Sequence, residues 1–314
     1  MSVEVIDAQG GKATQVVQVM VESASLAQHV ASSTIIFDEK NTRVLNVNPD
    51  NNTVTATHAT TGQKLWEKPV GKDPRSLALD GAGNIWVSNY DDGTISVLDT
   101  NGNTLKTLAL HPGAQPVGIV IAPNQLAGYV AAQGKGAIYK LNPAERTVVG
   151  ALPVGPSPYA LAITADSNTL LATRFISPQD EAQVYRIRTS DFTIAATIKI
   201  EADKTTTDTN TSARGVMNFL SSIAIEPGSQ TAWVTGKKDN VYRGMALDGN
   251  FGNFQNTVRS IIAKIDLNTN GEIPGSKFDI DNAEIASAIA FSRGGKIAYI
   301  AHLGNNRLSA YNVD

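Results

Sequence analysis

The chain has 314 residues, 42% of them hydrophobic and 18% charged, with a net charge of −3 and no cysteine. Without cysteine it makes no disulfide, thiolate metal centre or covalent haem attachment of its own, and its dispersed Lys and Arg lack the basic footprint of a nucleic-acid binder. No apolar run approaches the roughly 18 residues that mark a membrane-spanning helix.

The opening, Met1-Ser2-Val3-Glu4-Val5, is no basic and apolar signal segment, so either a cytoplasmic protein or one whose leader has been removed is expected. Residues 3–7 and 14–21 read as two short strands. From residue 28 the sequence becomes periodic, most legibly over 70–110, where strands at 76–80, 85–89, 95–99 and 105–110 alternate with turn formers. These are Asp80-Gly81-Ala82-Gly83, Tyr90-Asp91-Asp92-Gly93 and Thr100-Asn101-Gly102-Asn103, residues that tolerate positive φ or bond their own backbone. The stretch is an antiparallel meander of strands a to d. A unit this small cannot bury both faces, so it needs neighbours of its own kind.

The strand-a pattern recurs as Thr34-Ile35-Ile36-Phe37, Ser76-Leu77-Ala78-Leu79, Gly118-Ile119-Val120-Ile121, Ala160-Leu161-Ala162-Ile163, Ser222-Ile223-Ala224-Ile225 and Ala288-Ile289-Ala290-Phe291. Its second column, at 35, 77, 119, 161, 223 and 289, steps by 42 three times and then by 62 and 66. A period of 40 to 50 with four strands per unit predicts an all-β fold, a β-propeller of four-stranded blades whose a strands line a central channel. The small residue opening each strand a suits a crowded axis.

One domain over 1–314 is expected, with blades at 28–70, 71–110, 111–154, 155–200, 201–280 and 281–314 and a partial blade at 1–27. Residues 3–7 match Ile95-Ser96-Val97-Leu98-Asp99 and would be strand c of that partial blade. Strand arithmetic favours a seven-bladed ring, incomplete in its last blade and belonging to a longer polypeptide. The alternative is a six-bladed ring in which 14–21 completes blade six. Long connections at 174–182, 201–219 and 237–259 all fall between strands d and a or b and c, which emerge on one face, above blades four and five; such loops commonly carry function.

Strand b reads Trp86-Val87-Ser88-Asn89, Tyr129-Val130-Ala131-Ala132 and Trp233-Val234-Thr235-Gly236, and strand a follows Gly71-Lys72-Asp73-Pro74 or Gly155-Pro156-Ser157-Pro158. In these residues the chain resembles the YVTN-repeat, or YncE-like, β-propeller family. Across blade five and the start of blade six, Arg214-Gly215-Val216, Ala232-Trp233-Val234, Lys238-Asp239-Asn240, Arg243-Gly244, Asn256-Thr257-Val258-Arg259, Ile265-Asp266-Leu267 and Asp281-Asn282 follow the order of a branch that resembles propellers often followed by a peroxidase-like c-type cytochrome domain. The resemblance implies a bacterial, extracytoplasmic protein, periplasmic or secreted. It assigns no role to the motif residues, and the haem-binding Cys-x-x-Cys-His pattern is absent from this sequence.

Arg75, Arg174, Arg214, Arg243 and Arg259, with Asp239 and Asn240, lie in or beside the connections of that face and form its candidate ligand or partner surface, since guanidinium suits carboxylate or phosphate. The competing reading is that these arginines pair with Asp180, Glu181, Asp239 and Asp248 to order the loops. Asp239, Asp248 and Asn250 could offer oxygen ligands to calcium, although the spacing matches no EF-hand loop. His29, His58, His111 and His302 fall in separate repeats without metal-type spacing. Trp66, Trp86 and Trp233 read as packing residues.

No nucleophile elbow, phosphate loop or nucleotide fingerprint is present. The expected function is therefore a non-catalytic binding or scaffold module whose irregular face receives a protein partner or a neighbouring domain. Alternatives are the accessory propeller of a haem peroxidase-like electron-transfer protein and a metal-dependent hydrolase or lactonase-like enzyme.

Overall fold

Each a–b turn is closed by its own side chains. In blade two, Asp80 accepts the N–H groups of Ala82 and Asn84 at 3.0 and 2.9 Å and the Trp86 indole N–H at 3.0 Å, tying turn to strand. In blade four Asp166 caps Asn168 in the same way. The chain is seen in a computed structural model that describes residues 2–6, 12–16, 28–209, 211–242 and 256–313, the first two stretches through their backbone.

Blade one is β4–β7 (Ile35–Asp38, Arg43–Asn48, Thr53–His58, Lys64–Pro69). Blade two is β8–β11 (Pro74–Leu79, Ile85–Asn89, Thr94–Leu98, Thr104–Ala109), and blade three β12–β15 (Pro116–Ile121, Gly128–Ala132, Ala137–Asn142, Thr147–Pro153). Blade four is β16–β19 (Pro158–Ile163, Thr169–Arg174, Glu181–Arg188, Thr193–Glu201). Blade five comprises β20–β24 (Val216–Ile225, Thr231–Asp239, Val258–Asp266, Gly271–Glu272, Phe278–Ile280); β23 and β24 pair with the same edge of β22, so its outer strand is interrupted. Blade six is the three-stranded β25–β27 (Ala286–Phe291, Ile297–His302, Arg307–Asn312). Helix among the described residues amounts to two 3-10 turns, Pro49–Asn51 and Gln133–Lys135, and none is long and apolar enough to cross a membrane.

Six sheets thus form a six-bladed propeller, the count of the alternative expectation rather than of the favoured seven-bladed one. The detail attached to that alternative differs, because β1 (Ser2–Ile6) and β2 (Lys12–Val16) pair with each other in a two-stranded sheet of their own. The described part of 14–21 therefore does not complete blade six.

The channel is where sequence and structure agree most closely. Thr34, Ser76, Gly118, Ala160, Ser222 and Ala288, the small residues opening each strand a, all line one cavity on the axis. Residues 28–33, expected within blade one, instead occupy the axis. There β3 (Val30–Ala31) adds to the inner edge of blade four, Ser33 bridges to Leu77 of blade two, and Gln28 bonds the Arg293 carbonyl of blade six.

Apolar clusters fill the junctions between blades. One joins blades one and two through Leu45, Val54, Leu77 and Val87; another joins two and three through Trp86, Ile95, Ile119 and Val130. Tyr129 and Ile138 meet Leu161 and Ala172 between three and four, Leu171 and Val184 meet Ile223 and Val234 between four and five, and Trp233 and Ile262 meet Ile289 and Ile300 between five and six. Large b-strand residues of one blade pack on a-strand residues of the next because the sheets twist as they radiate.

Trp86 is fully buried and bonded to Asp80, so Trp86→Ala should leave a cavity and destabilise the fold by roughly 3–5 kcal/mol. Urea denaturation would measure this, with the exposed Lys106→Ala as a control expected within about 0.5 kcal/mol of the parent.

Candidate functional site at the channel mouth

Strand ends and connections of blades two, four, five and six converge where the channel opens on the face of the long connections. The opening is a cavity of about 410 Å³ lined by Arg75, Tyr159, Phe175, Phe219, Ser287 and Leu303, among others. Tyr159 stacks on Phe175 with centroids 4.3 Å apart, Phe175 stacks on Phe219 at 4.6 Å, and the Lys237 ammonium lies 4.0 Å from the centroid of Phe219. Stacked rings with centroids at this separation and a cation over the last ring are both favourable arrangements. Burial pushes the Tyr159 hydroxyl above its ordinary pKa, with the nearby Arg75 charge opposing the shift.

Phe219 arrives there by an unusual route. Asp73, Gln115 and Ser157, each just before the proline that opens strand a, have φ of 53°, 50° and 53°. Phe219 stands four residues before Ile223, as they do before Leu77, Ile119 and Leu161, and has φ of 49°. Short polar residues tolerate that left-handed conformation, whereas a bulky ring there is strained, by an amount of order 1–3 kcal/mol. The register of β20 on β21 shifts between Asn218 and Ser222, as strand a shifts on strand b in blades two, three, four and six. Sequence reasoning missed this residue; its signal was the Phe standing where the other repeats carry a turn former.

The expected polar face is organised mainly by internal pairing. Arg75 pairs with Asp73 at 2.5 Å and lies over Tyr90. Arg174 donates to the Ile176 carbonyl at 2.8 Å and to Gln183 at 2.9 Å. Arg214 pairs with Asp208 at 3.1 Å. Asp239 accepts from Lys237 at 2.9 Å and from Asn218 at 2.8 Å, and Asn240 donates to the Asn256 carbonyl. Arg259 is buried within β22, where it pairs with Asp279 at 2.7 Å and with Asp281. Arg243, Asp248 and Asn250 lie outside the described residues.

Ion pairing thus occurs as the competing reading anticipated, but with other partners: Asp180 takes Lys204 and Glu181 takes Lys199. The strongest knot is Lys238, itself buried, held between Asp203 at 3.4 Å and Asp279 at 2.9 Å, with Arg259 on the same Asp279 oxygen. It clamps the polar approach to blade five against β21, β22 and β24. Among the described residues no three His, Asp or Glu side chains come together as metal ligands would.

No protein-family model matches the sequence, and no curated protein does. Among solved structures, the chain is similar to one titled Kuenenia stuttgartiensis hydrazine synthase, with a TM-score of 0.75 and 18% identity over 96% of this chain and 81% of that one. It is also similar to a structure of streptogramin B lyase, with a TM-score of 0.60 and 14% identity over 100% of this chain and 87% of that one. Likeness at these identities establishes the propeller fold and leaves function to the site.

Asp279→Ala would leave Lys238 and Arg259 buried without their shared carboxylate, a loss of about 3–5 kcal/mol. Asp73→Asn, which removes the charge facing the partly exposed Arg75 while keeping a residue that tolerates the left-handed backbone at 73, should cost no more than about 1 kcal/mol; chemical denaturation of the two variants tests the contrast.

His302 of blade six, held between the Glu284 carbonyl and the Ser309 hydroxyl, has its pKa lowered chiefly by burial. A histidine whose folded pKa is depressed binds a proton more readily when unfolded, so its contribution is complete above the ordinary pKa of about 6.5 and declines as pH falls through that value. Stability should therefore drop between about pH 7 and pH 5.5, and the slope should flatten in His302→Gln; denaturant midpoints across that range provide the check.

Proposed function

We propose that the chain is a non-catalytic binding propeller of the YVTN-repeat kind, receiving a protein partner or neighbouring domain on the face above blades four and five. The observation that carries this reading is the aromatic tier Tyr159–Phe175–Phe219 in the mouth of the channel, with Phe219 in a left-handed backbone conformation. Strain of this kind persists where surrounding structure enforces it, and it gathers at binding sites. An apolar side chain of a partner entering the mouth would meet ring surface and the Leu303 side chain, while its polar neighbours would meet Arg75 and the Ser287 hydroxyl. Buried aromatic anchors of this type dominate the energetics of interfaces.

The face itself supplies specificity more than affinity, because its cations already hold internal carboxylates or carbonyls and exposed pairs are individually weak. Inner strands that begin with Thr34, Ser76, Gly118, Ala160, Ser222 and Ala288 are poor ligand chemistry for a metal-dependent hydrolase, which favours binding over that alternative. An accessory role beside a haem peroxidase-like domain, and an extracytoplasmic location, rest on the family resemblance.

A photo-crosslinking amino acid at Ile176, beside the mouth, should capture a discrete macromolecular adduct in extracts of the source cells. The same probe at Leu126, in the a–b turn of blade three on the opposite face, should not. Equal labelling from both positions, or none from Ile176, would remove the basis for this face as the binding surface.

A further inference from the structure

Two neighbouring columns of the repeat line the channel mouth, and they differ in kind. The residues opening each strand a are uniformly small. Those one position earlier, Ser33, Arg75, Val117, Tyr159, Ser221 and Ser287, line the same cavity yet range from serine to tyrosine to arginine. Packing that repeats from blade to blade asks for the same kind of residue each time; a ring that varies presents a different group to each side of whatever sits on the axis. On the side of blade two, Arg75 gives one nitrogen to Asp73 at 2.5 Å, and its other N–H groups have no hydrogen-bond partner among the described residues. Free guanidinium donors suit a carboxylate, and among the described residues no carboxylate lines the cavity. On the side of blade four, Tyr159 heads the stack of rings. On the side of blades five and six, Ser221 donates to the Ala286 carbonyl at 2.8 Å and Ser287 donates to the Ala301 carbonyl at 3.1 Å. With their protons committed, these two hydroxyls offer lone pairs and so accept an N–H. The Thr235 hydroxyl, 3.3 Å from that of Ser221, takes at most one of them.

We infer that the cavity receives an aromatic C-terminal residue of a polypeptide partner, its carboxylate on Arg75, its ring against the Tyr159–Phe175–Phe219 tier and its backbone N–H towards Ser221 and Ser287. This names the partner's inserted group and rests on the proposed binding role of the same face. A terminal residue carries carboxylate, side chain and N–H on one carbon, the three groups that the ring separates by position, and capture of a chain end is a recurring mode of peptide recognition. The volume of about 410 Å³ lies near the lower end of the roughly 300–1,000 Å³ of ligand pockets and suits one residue better than a loop. A free amino acid fits less well. Its ammonium would lose water to neutral hydroxyls with no carboxylate in the lining to balance it, a costly exchange, whereas the N–H of a peptide is neutral.

Fluorescence anisotropy with the full chain tests this. The probe is an amino-terminally labelled Gly-Ser-Gly-Ser-Phe peptide with a free carboxylate. The same peptide with a C-terminal amide, or ending in alanine, should bind at least about tenfold more weakly. Free phenylalanine should compete at least about tenfold less well than the unlabelled peptide. Arg75→Gln should bring the free-acid peptide to within about twofold of its amide, and the comparison of peptides on the unaltered protein stands whether or not that variant folds. Equal binding of acid and amide, equal binding of the alanine peptide, equal competition by the free amino acid, or no binding at all would each overturn the inference. Its failure is separable from that of the binding face: if the crosslinker at Ile176 captures a partner while the peptides do not discriminate, the face stands and the terminal residue is wrong. Loss of that adduct on adding the free-acid peptide, but not its amide, would show that partner and peptide use the same cavity.

Discussion

Burial of one sheet against the next is the interaction on which this molecule depends. Each blade has two broad faces and no core of its own, and the apolar clusters lie between blades, not within them. Each fully buried Leu, Ile or Val contributes about 1.5–3 kcal/mol, so a blade detached from its neighbours forfeits most of what holds it. This is the energetics of a repeat protein, in which stability is a sum over nearest-neighbour interfaces. Blades two to five have a partner on each side. Blades one and six each have one filled interface and one apolar face in contact with solvent, an imbalance that the repeat pattern itself makes visible.

Near the axis a second, polar interaction sets the alignment of the blades. Thr173 of blade four donates to the Leu220 carbonyl of blade five at 2.8 Å, Ser221 of blade five donates to the Ala286 carbonyl of blade six at 2.8 Å, and Ser76 and Ser222 accept from Ile119 and Ile289 of the following blades. Blade three cannot do this from Gly118. A Cβ there would stand 2.5 Å from the Tyr159 carbonyl oxygen and 2.8 Å from the Ser32 hydroxyl, and it is Ser32, from the axial segment, that accepts the Leu161 N–H at 2.9 Å. The segment thus supplies the hydroxyl that blade three lacks.

Much of the architecture was legible because it is periodic. The small-residue column of strand a located the channel, and turn residues such as Asp80 marked strand ends through bonds that depend on near neighbours alone. What escaped was non-periodic or long-range. Residues 28–33 follow no repeat, and their partners are contributed by blades two, four and six. The arginines were recognised as a group, yet which carboxylate each meets depends on which loops come together, so Arg214 found Asp208 and Arg259 found Asp279. The aromatic tier escaped for a similar reason: Tyr159, Phe175 and Phe219 are scattered over three segments and become one stack only once blades four and five are placed side by side.

The strand on the axis also decides what kind of vessel the mouth is. With Ser32, Ser33 and Thr34 forming part of its wall and Val30 and Ala31 hydrogen-bonded to blade four beneath, the cavity is a cul-de-sac and not a conduit. Whatever enters must leave by the same opening. Water displaced by an incoming group has to escape past that group, so depth is traded against speed, and a shallow side chain fits the mouth's plumbing better than a ligand that must thread.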